Sequence, residues 1–120
     1  MDRFGDFVRS YLGTILSVDD SVGAVYEALR QTGRLDDTLL VFVSDNGFLL
    51  GEHGMIDKRS MHEESIRIPL IARWPARIKP GTVIDEMVLN VDLAPSIVDL
   101  CEAPALPKVH GRSVAPLLAG

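Results

Sequence analysis

The chain has 120 residues, of which 47% are hydrophobic and 24% charged, a composition typical of a folded globular domain and not of a disordered tail. Acidic residues number 17 and basic residues 12, and the resulting net charge of -5 argues against a protein that binds nucleic acid by neutralising phosphates. The single cysteine, Cys101, excludes an internal disulfide and leaves the compartment open. No stretch approaches the roughly 18 apolar residues of a membrane span. The abrupt start and end of the sequence lead us to expect a piece of a larger protein.

The first predicted element is an amphipathic helix over about residues 6–32. Apolar residues recur along it at steps of three and four, which places them on one helix face. They are Val8, Tyr11, Ile15, Val18, Val22, Val25 and Leu29. Gly33 suits the position just after the helix, because glycine takes a left-handed conformation without strain, and Leu35 can fold back onto the last turn.

A strand is predicted next, at residues 38–44. Its centre, Leu39 to Val43, is a continuous apolar run that is too short for a helix, as expected of a strand buried on both faces. A helix that leads directly into such a strand indicates an α/β fold. We therefore predict one partial α/β domain over residues 1–120.

Three further elements are predicted in the second half of the chain. Strands are expected at residues 67–74 and 83–90, and a helix at residues 92–102. Asp92 is the expected N-cap of that helix, and Pro95 is tolerated in its first turn, where its missing N–H would be unpaired anyway.

The long polar loop between the first two strands, residues 45–66, concentrates the candidate functional residues. Ligands bind at the carboxyl ends of strands in open α/β sheets, where this loop begins. Asp45 and Asn46 offer the hard oxygen donors that calcium or magnesium prefers, but calcium takes about six to eight oxygens, so further ligands must come from elsewhere. Lys58 offers a compact positive charge to an anion. His53 can titrate or donate a proton near neutral pH.

Each of these residues also has a purely structural interpretation. Asp45, Asn46 and Gly47 are typical of a turn after a strand. Lys58 fits a solvated surface lysine, the usual situation of that residue type. A histidine in a glycine-rich loop is commonly a hydrogen-bonded structural group, so His53 taken alone does not decide between the two interpretations.

Short motifs follow one another in a definite order along nearly the whole chain. They are Ser44-Asp45-Asn46-Gly47, Gly51-Glu52-His53-Gly54, Asp57-Lys58-Arg59, the stretch from Glu63 to Ile71, and His110-Gly111-Arg112-Ser113. In order and approximate spacing they resemble the sulfatase family of the alkaline-phosphatase-like superfamily. The resemblance implies an α/β fold, represented here by a partial sheet flanked by helices, with the N-terminal part of the family's fold missing.

The resemblance also implies roles for individual residues. Asp45 and Asn46 match the family's second pair of calcium ligands, and Lys58 matches the lysine that contacts the sulfate group of the substrate. His53 is given a substrate-facing, catalytic role. A divalent cation and a fixed ammonium group suit sulfate-ester cleavage, because the bridging oxygen gains negative charge as the S–O bond breaks.

The chain departs from the family in what it lacks. Sulfatases use a formylglycine made from the first residue of a Cys/Ser-x-Pro/Ala-x-Arg segment, and this sequence contains no such segment and no early acidic pair for the other calcium ligands. His62 stands where many relatives have tyrosine. The resemblance therefore implies a chain that is inactive alone and belongs to a calcium-dependent sulfatase of the periplasm, extracellular space or lysosome. Its expected substrate is a sulfated small molecule or glycan, with no nucleic-acid partner.

Two alternatives stay open at the level of sequence. A phosphodiesterase or phosphonate-ester hydrolase of the same superfamily would carry threonine or an unmodified residue in place of the formylglycine precursor. The other alternative is a non-catalytic truncated domain. Such a domain would leave a sheet face uncovered, and we expect it to self-associate through that face, as large exposed apolar patches usually do.

Overall fold

The structure, a computed structural model, describes residues 3–119. Its helices and strands, in chain order, are α1 Arg3–Gln31, β1 Leu40–Val43, α2 Glu63–Ile66, β2 Leu70–Arg73, α3 Leu93–Leu100 and α4 Ala115–Ala119. Short 3-10 turns lie at Leu35–Asp37, Glu52–Gly54 and Asn90–Asp92. None of the helices in this part of the chain is long and apolar enough to cross a membrane.

The chain divides into two compact units. The first comprises residues 3–38 and 42–70, and the second comprises residues 39–41 and 71–119. The candidate functional loop belongs entirely to the first unit.

Helix α1 ends in the way its sequence predicts. Gly33 adopts a left-handed φ of +68°. Its amide donates to the carbonyl of Arg30 at 3.1 Å, and the amide of Arg34 donates to the carbonyl of Leu29 at 2.9 Å. These two bonds satisfy carbonyls that the helix end leaves without partners. The prediction for Gly33 is thus confirmed, while the helix begins at Arg3, earlier than expected.

Much of the apolar face of α1 is exposed. Its described residues include none that is buried, and Ile15 and Val25 are 51% and 52% exposed. The N-terminal part of the helix nevertheless contacts the functional loop. The ring of Phe48 stacks on Tyr11, with centroids 5.7 Å apart, and lies 6.3 Å from the ring of Phe7. These aromatic contacts anchor the beginning of the loop to α1.

The two strands pair with each other in a two-stranded sheet. Phe42 is 36% exposed and Ile71 is 63% exposed. The expectation of a first strand buried on both faces is therefore wrong for the described chain. Strands at the centre of a large sheet are covered on both faces, whereas this sheet has only two strands. Whether the chain self-associates through this sheet stays a prediction.

The predicted strand at residues 83–90 needs correction. The structure places no strand between Arg73 and the 3-10 turn Asn90–Asp92. Val83 and Met87 are 81% and 86% exposed, so these side chains have little to pack against. A strand also needs a neighbour for its backbone hydrogen bonds, and β-propensity depends strongly on that context.

Asp92 does not cap helix α3 with its side chain. A 3-10 turn already leads into the helix, so the backbone of Asp92 is helical, with φ -82° and ψ -15°, rather than extended. Its carboxylate instead accepts the amides of Leu89 and Arg112, each at 2.9 Å. The buried Ser96 makes a second link, since its hydroxyl accepts the amide of Val114 at 2.9 Å. The segment from Arg112 to Val114 is thereby bound to the start of α3.

Candidate functional site

The turn after β1 is held by its own hydrogen bonds. The hydroxyl of Ser44 donates to the carbonyl of Asn46 at 2.8 Å, and the amide of Asn46 donates to Oδ1 of Asp45 at 2.9 Å. The side-chain Nδ2 of Asn46 donates to the carbonyl of Gly47 at 2.8 Å. Because this bond engages the nitrogen of the side-chain amide, the oxygen is the atom that Asn46 can offer to a cation.

The turn packs closely against α2. The amide of Gly47 donates to the carbonyl of Ser65 at 2.8 Å. A Cβ atom at position 47 would lie only 2.1 Å from the carbonyl oxygen of Glu64, so the backbones approach at a distance that only glycine permits. The position of Asp45 and Asn46 is thus fixed relative to α2.

Lys58 lies in a second anchored segment. Its amide donates to Oδ1 of Asp57 at 2.7 Å, and the same carboxylate accepts Nε of Arg59 at 3.1 Å and Nη2 at 3.3 Å. The guanidinium of Arg59, followed by the amide of Lys58, lowers the pKa of Asp57 from its ordinary value. The carbonyl of Asp57 accepts the amide of Leu49 at 2.8 Å, and Leu49 is fully buried. The segment is therefore tied to the core of its unit.

Ser65 connects the two segments. Its hydroxyl donates to the carbonyl of Lys58 at 2.5 Å, while its carbonyl accepts the amide of Gly47. The side chain is almost completely inaccessible, with a residue exposure of 2%. Ser65 lies within the motif from Glu63 to Ile71, but the motif by itself assigns it no role. A small polar residue among charged neighbours is a weak signal, because the bond to Lys58 depends on the folded path of the intervening chain.

An open pocket of about 380 Å³ lies between these segments. Its lining comprises Asp45, Asn46, Lys58, Arg59, Ser60, Met61, Ser65 and Ile66. The structure therefore brings together three of the four residues singled out by the sequence, the oxygen pair and the lysine. In such a pocket the oxygen donors can bind a metal ion, and the cationic side chains can bind an anion next to it.

His53 does not belong to that lining. Its ring stacks on His62, with centroids 4.2 Å apart, and its Nε2 lies 3.4 Å from Oε2 of Glu64. The backbone amide of Glu64 and, after it, the neighbouring His53 lower the pKa of this glutamate. A catalytic role for His53 stays a prediction, and its contacts here are those of a residue that holds the loop to α2.

The donors at the turn fit part of a calcium site. A carboxylate from Asp45 and an amide oxygen from Asn46 are the ligand types that calcium prefers, and two donors are fewer than the about six to eight it takes. Among residues 3–119, no group of three or more His, Cys, Asp or Glu side chains is arranged to hold a metal ion. Further ligands would have to join Asp45 and Asn46.

Comparison with known proteins identifies the family. The family described as N-sulphoglucosamine sulphohydrolase, C-terminal, matches residues 51–120, more than half of the chain. This chain belongs to the sulfatase family. The match falls on the C-terminal part of the family's catalytic region, which confirms the resemblance drawn from the motifs. We call the chain the sulfatase segment below.

Individual relatives give the extent of the match. The N-acetylglucosamine-6-O-sulfatase of Bacteroides thetaiotaomicron is 41% identical over 116 residues, which cover 97% of the sulfatase segment and 21% of that relative. A solved structure in complex with its substrate D-glucosamine-2-N,6-O-disulfate matches with a TM-score of 0.93 and 41% identity, over 98% of the segment and 24% of that chain. The segment thus spans about a fifth to a quarter of these relatives.

The superfamily extends beyond sulfate esters. A phosphonate monoester hydrolase from Silicibacter pomeroyi matches with a TM-score of 0.79 and 38% identity, over 86% of the segment and 20% of that chain. The predicted fold class, a partial α/β sulfatase fold, is confirmed by the likeness to the substrate-bound structure, of which the segment covers 24%. Sulfatase relatives imply a metal-dependent enzyme in general terms, which agrees with the oxygen donors at the turn.

Proposed function

We propose that the sulfatase segment supplies one side of the active site of a sulfuric ester hydrolase. The observation that carries the proposal is that Asp45, Asn46 and Lys58 all line the same pocket. In this proposal Asp45 and Asn46 are two of the calcium ligands, and Lys58 binds the sulfate group. The nucleophile and the other ligands lie in protein outside these 120 residues.

The charges around the pocket support Lys58 as the sulfate-binding group. The guanidinium of Arg59 is engaged by the carboxylate of Asp57. The ammonium of Lys58, in contrast, forms no ion pair with any residue of the range 3–119 and is exposed, so its charge is available to an anion. Such a charge stabilises the negative charge that develops as a sulfate ester breaks. Calcium, when bound, would place further positive charge beside the same anion.

The proposed substrate class is a sulfated carbohydrate. The relative from B. thetaiotaomicron is named for the 6-O-sulfate of N-acetylglucosamine, and the solved structure holds a sulfated glucosamine. At 41% identity over nearly the whole segment, both support a sulfated sugar for the protein that contains it.

A chimera tests the proposal. The sulfatase segment replaces the matching part of the B. thetaiotaomicron N-acetylglucosamine-6-O-sulfatase, and kcat/KM is measured on a 6-O-sulfated glucosamine. We expect Lys58→Ala to lower kcat/KM by about 100-fold or more, the scale of losing one donor to the transition state. Lys79→Ala, which removes an exposed lysine outside the pocket lining, is the matched control. Equal activity of both variants would refute the sulfate-binding role.

A second candidate function is phosphonate monoester hydrolysis, which the likeness to the Silicibacter pomeroyi enzyme favours. The same segment can replace the matching part of that hydrolase, and each chimera's activity is then expressed relative to its own parent. Our proposal predicts that the chimera built on the sulfatase retains a larger fraction of its parent's activity than the chimera built on the phosphonate hydrolase. A larger retained fraction in the phosphonate hydrolase would favour the second candidate.

A further inference from the structure

Packing alone does not explain the buried hydroxyl of Ser65. At 2% exposure, an apolar side chain of similar size would suit the position, and a buried hydroxyl is costly unless it is hydrogen-bonded. The hydroxyl of Ser65 donates to the carbonyl of Lys58, at 2.5 Å, seven residues earlier in the chain. The hydroxyl is therefore directed at the backbone of the proposed sulfate-binding residue.

Lys58 is held on both sides of its Cα. Asp57 binds its amide at 2.7 Å, and Ser65 binds its carbonyl. A lysine side chain is long and flexible, so the position of its backbone decides where the ammonium can reach. Two bonds to the Lys58 backbone restrict the position of its Cα and the direction of its Cα–Cβ bond, from which the side chain extends.

Ser65 also sets the distance between the lysine and the metal-binding turn. Its carbonyl accepts the amide of Gly47 at 2.8 Å, and Gly47 directly follows Asn46. A single buried residue thus contacts the Lys58 segment through its side chain and the Asp45–Asn46 turn through its backbone. Both segments, and Ser65 itself, line the same pocket.

We infer that Ser65 is a positioning residue for sulfate-ester hydrolysis, which holds the Lys58 ammonium at the working distance from the calcium-binding pair Asp45 and Asn46. This inference rests on the proposed function of the pocket. Ser65 acts through Lys58 and does not itself contact the reacting atoms. Small losses of alignment at a reacting centre cost up to about 100-fold in rate.

A double-mutant cycle in the chimera separates positioning from general stability. We expect Ser65→Ala to lower kcat/KM about 10-fold when Lys58 is present and to have no further effect in the Lys58→Ala background. Ser65→Cys replaces the hydroxyl with a weaker donor on a larger atom and should give an intermediate rate. This variant keeps the test available even if Ser65→Ala folds poorly.

Ser96→Ala is the matched control, because Ser96 is a buried serine with hydrogen bonds to the backbone in the other unit. It should lower Tm while kcat/KM stays within about 2-fold of the chimera. Two results would overturn the positioning role while leaving the proposed function standing. One is a double variant in which the separate fold-losses in kcat/KM of Ser65→Ala and Lys58→Ala multiply. The other is an unchanged kcat/KM for Ser65→Ala. An unchanged kcat/KM for Lys58→Ala alone would overturn both the positioning role of Ser65 and the proposed function.

Discussion

The carboxylate of Asp57 binds the guanidinium of Arg59 through two hydrogen bonds, of 3.1 Å and 3.3 Å. The same carboxylate accepts the amide of Lys58. Because these donors lower the pKa of Asp57, the carboxylate stays ionised to a lower pH than an unpaired aspartate does. One acidic side chain therefore keeps a neighbouring cation engaged while leaving the lysine ammonium available.

Asp57→Ala should disturb the placement of Lys58 more than the loss of Arg59 does. The substitution removes the acceptor for the Lys58 amide and also releases Arg59, so we expect kcat/KM of the chimera on a sulfate ester to fall roughly 10-fold. Arg59→Ala leaves the bond between Asp57 and Lys58 in place and should cost less. A greater loss for Arg59→Ala would show that Arg59 binds the substrate directly.

Asn46→Ala should raise the calcium requirement of the chimera. It removes the amide oxygen that the bond from Nδ2 to the Gly47 carbonyl leaves available for a cation. We expect the calcium concentration for half-maximal activity to rise about 10-fold or more, with activity largely restored at saturating calcium. Asp85→Asn, at an exposed carboxylate outside the pocket lining, is the control. An unchanged calcium dependence in Asn46→Ala would exclude Asn46 as a ligand.

Asp92 should make the stability of the sulfatase segment depend on pH. The amides of Arg112 and, after it, Leu89 lower the pKa of this carboxyl in the folded chain. A folded pKa below the unfolded one gives stability that is present at neutral pH and is lost as the pH falls through the folded pKa. We expect Asp92→Asn to lower Tm at pH 7 by roughly 5 °C, and to lower it by less at pH 3, where more of the Asp92 carboxyl is protonated.

Thermal unfolding of the 120-residue chain, followed by circular dichroism, measures this difference. Asp85→Asn again serves as the control, at an exposed carboxylate with no hydrogen bond to residues 3–119. A Tm difference between Asp92→Asn and the parent chain that is the same at pH 7 and pH 3 would contradict the assignment.

Two glycine substitutions should change stability in opposite directions. Gly47→Ala would place a Cβ atom 2.1 Å from the carbonyl oxygen of Glu64, so the turn must move away from α2. We expect a loss of about 1–3 kcal/mol in the free energy of unfolding. Gly23→Ala, inside α1 with open space around its Cα, should instead stabilise by about 0.5–1 kcal/mol. Chemical denaturation measures the free energy of unfolding of each variant. An unchanged free energy of unfolding for Gly47→Ala would contradict the close packing of the turn.

The sequence predicted what depends on local chemistry. Gly33 ends α1 because a left-handed residue is needed there, and this requirement is written in one residue and its neighbours. Asp45, Asn46 and Lys58 could be named because the motifs that contain them resemble those of the sulfatase family, and all three line one pocket. The family and the partial α/β fold followed from the same motifs.

Features that depend on tertiary neighbours were less predictable. Val83 to Leu89 has the composition of a strand, but no described strand pairs with it, so the stretch is irregular. Asp92 has the residue type of an N-cap, yet its carboxylate binds the amide of Arg112, twenty residues later. Ser65 reaches Lys58 only because the loop folds back, and hydrogen bonds of this kind leave no periodic signal in a sequence.

The most direct test of the site is a crystal structure of the chimera with calcium and sulfate bound. The proposal predicts calcium about 2.3–2.6 Å from oxygens of Asp45 and Asn46, and the Lys58 Nζ about 2.7–3.2 Å from a sulfate oxygen. A sulfate bound beside calcium with the Lys58 ammonium directed away from it, or a calcium ion without either oxygen donor, would contradict the account.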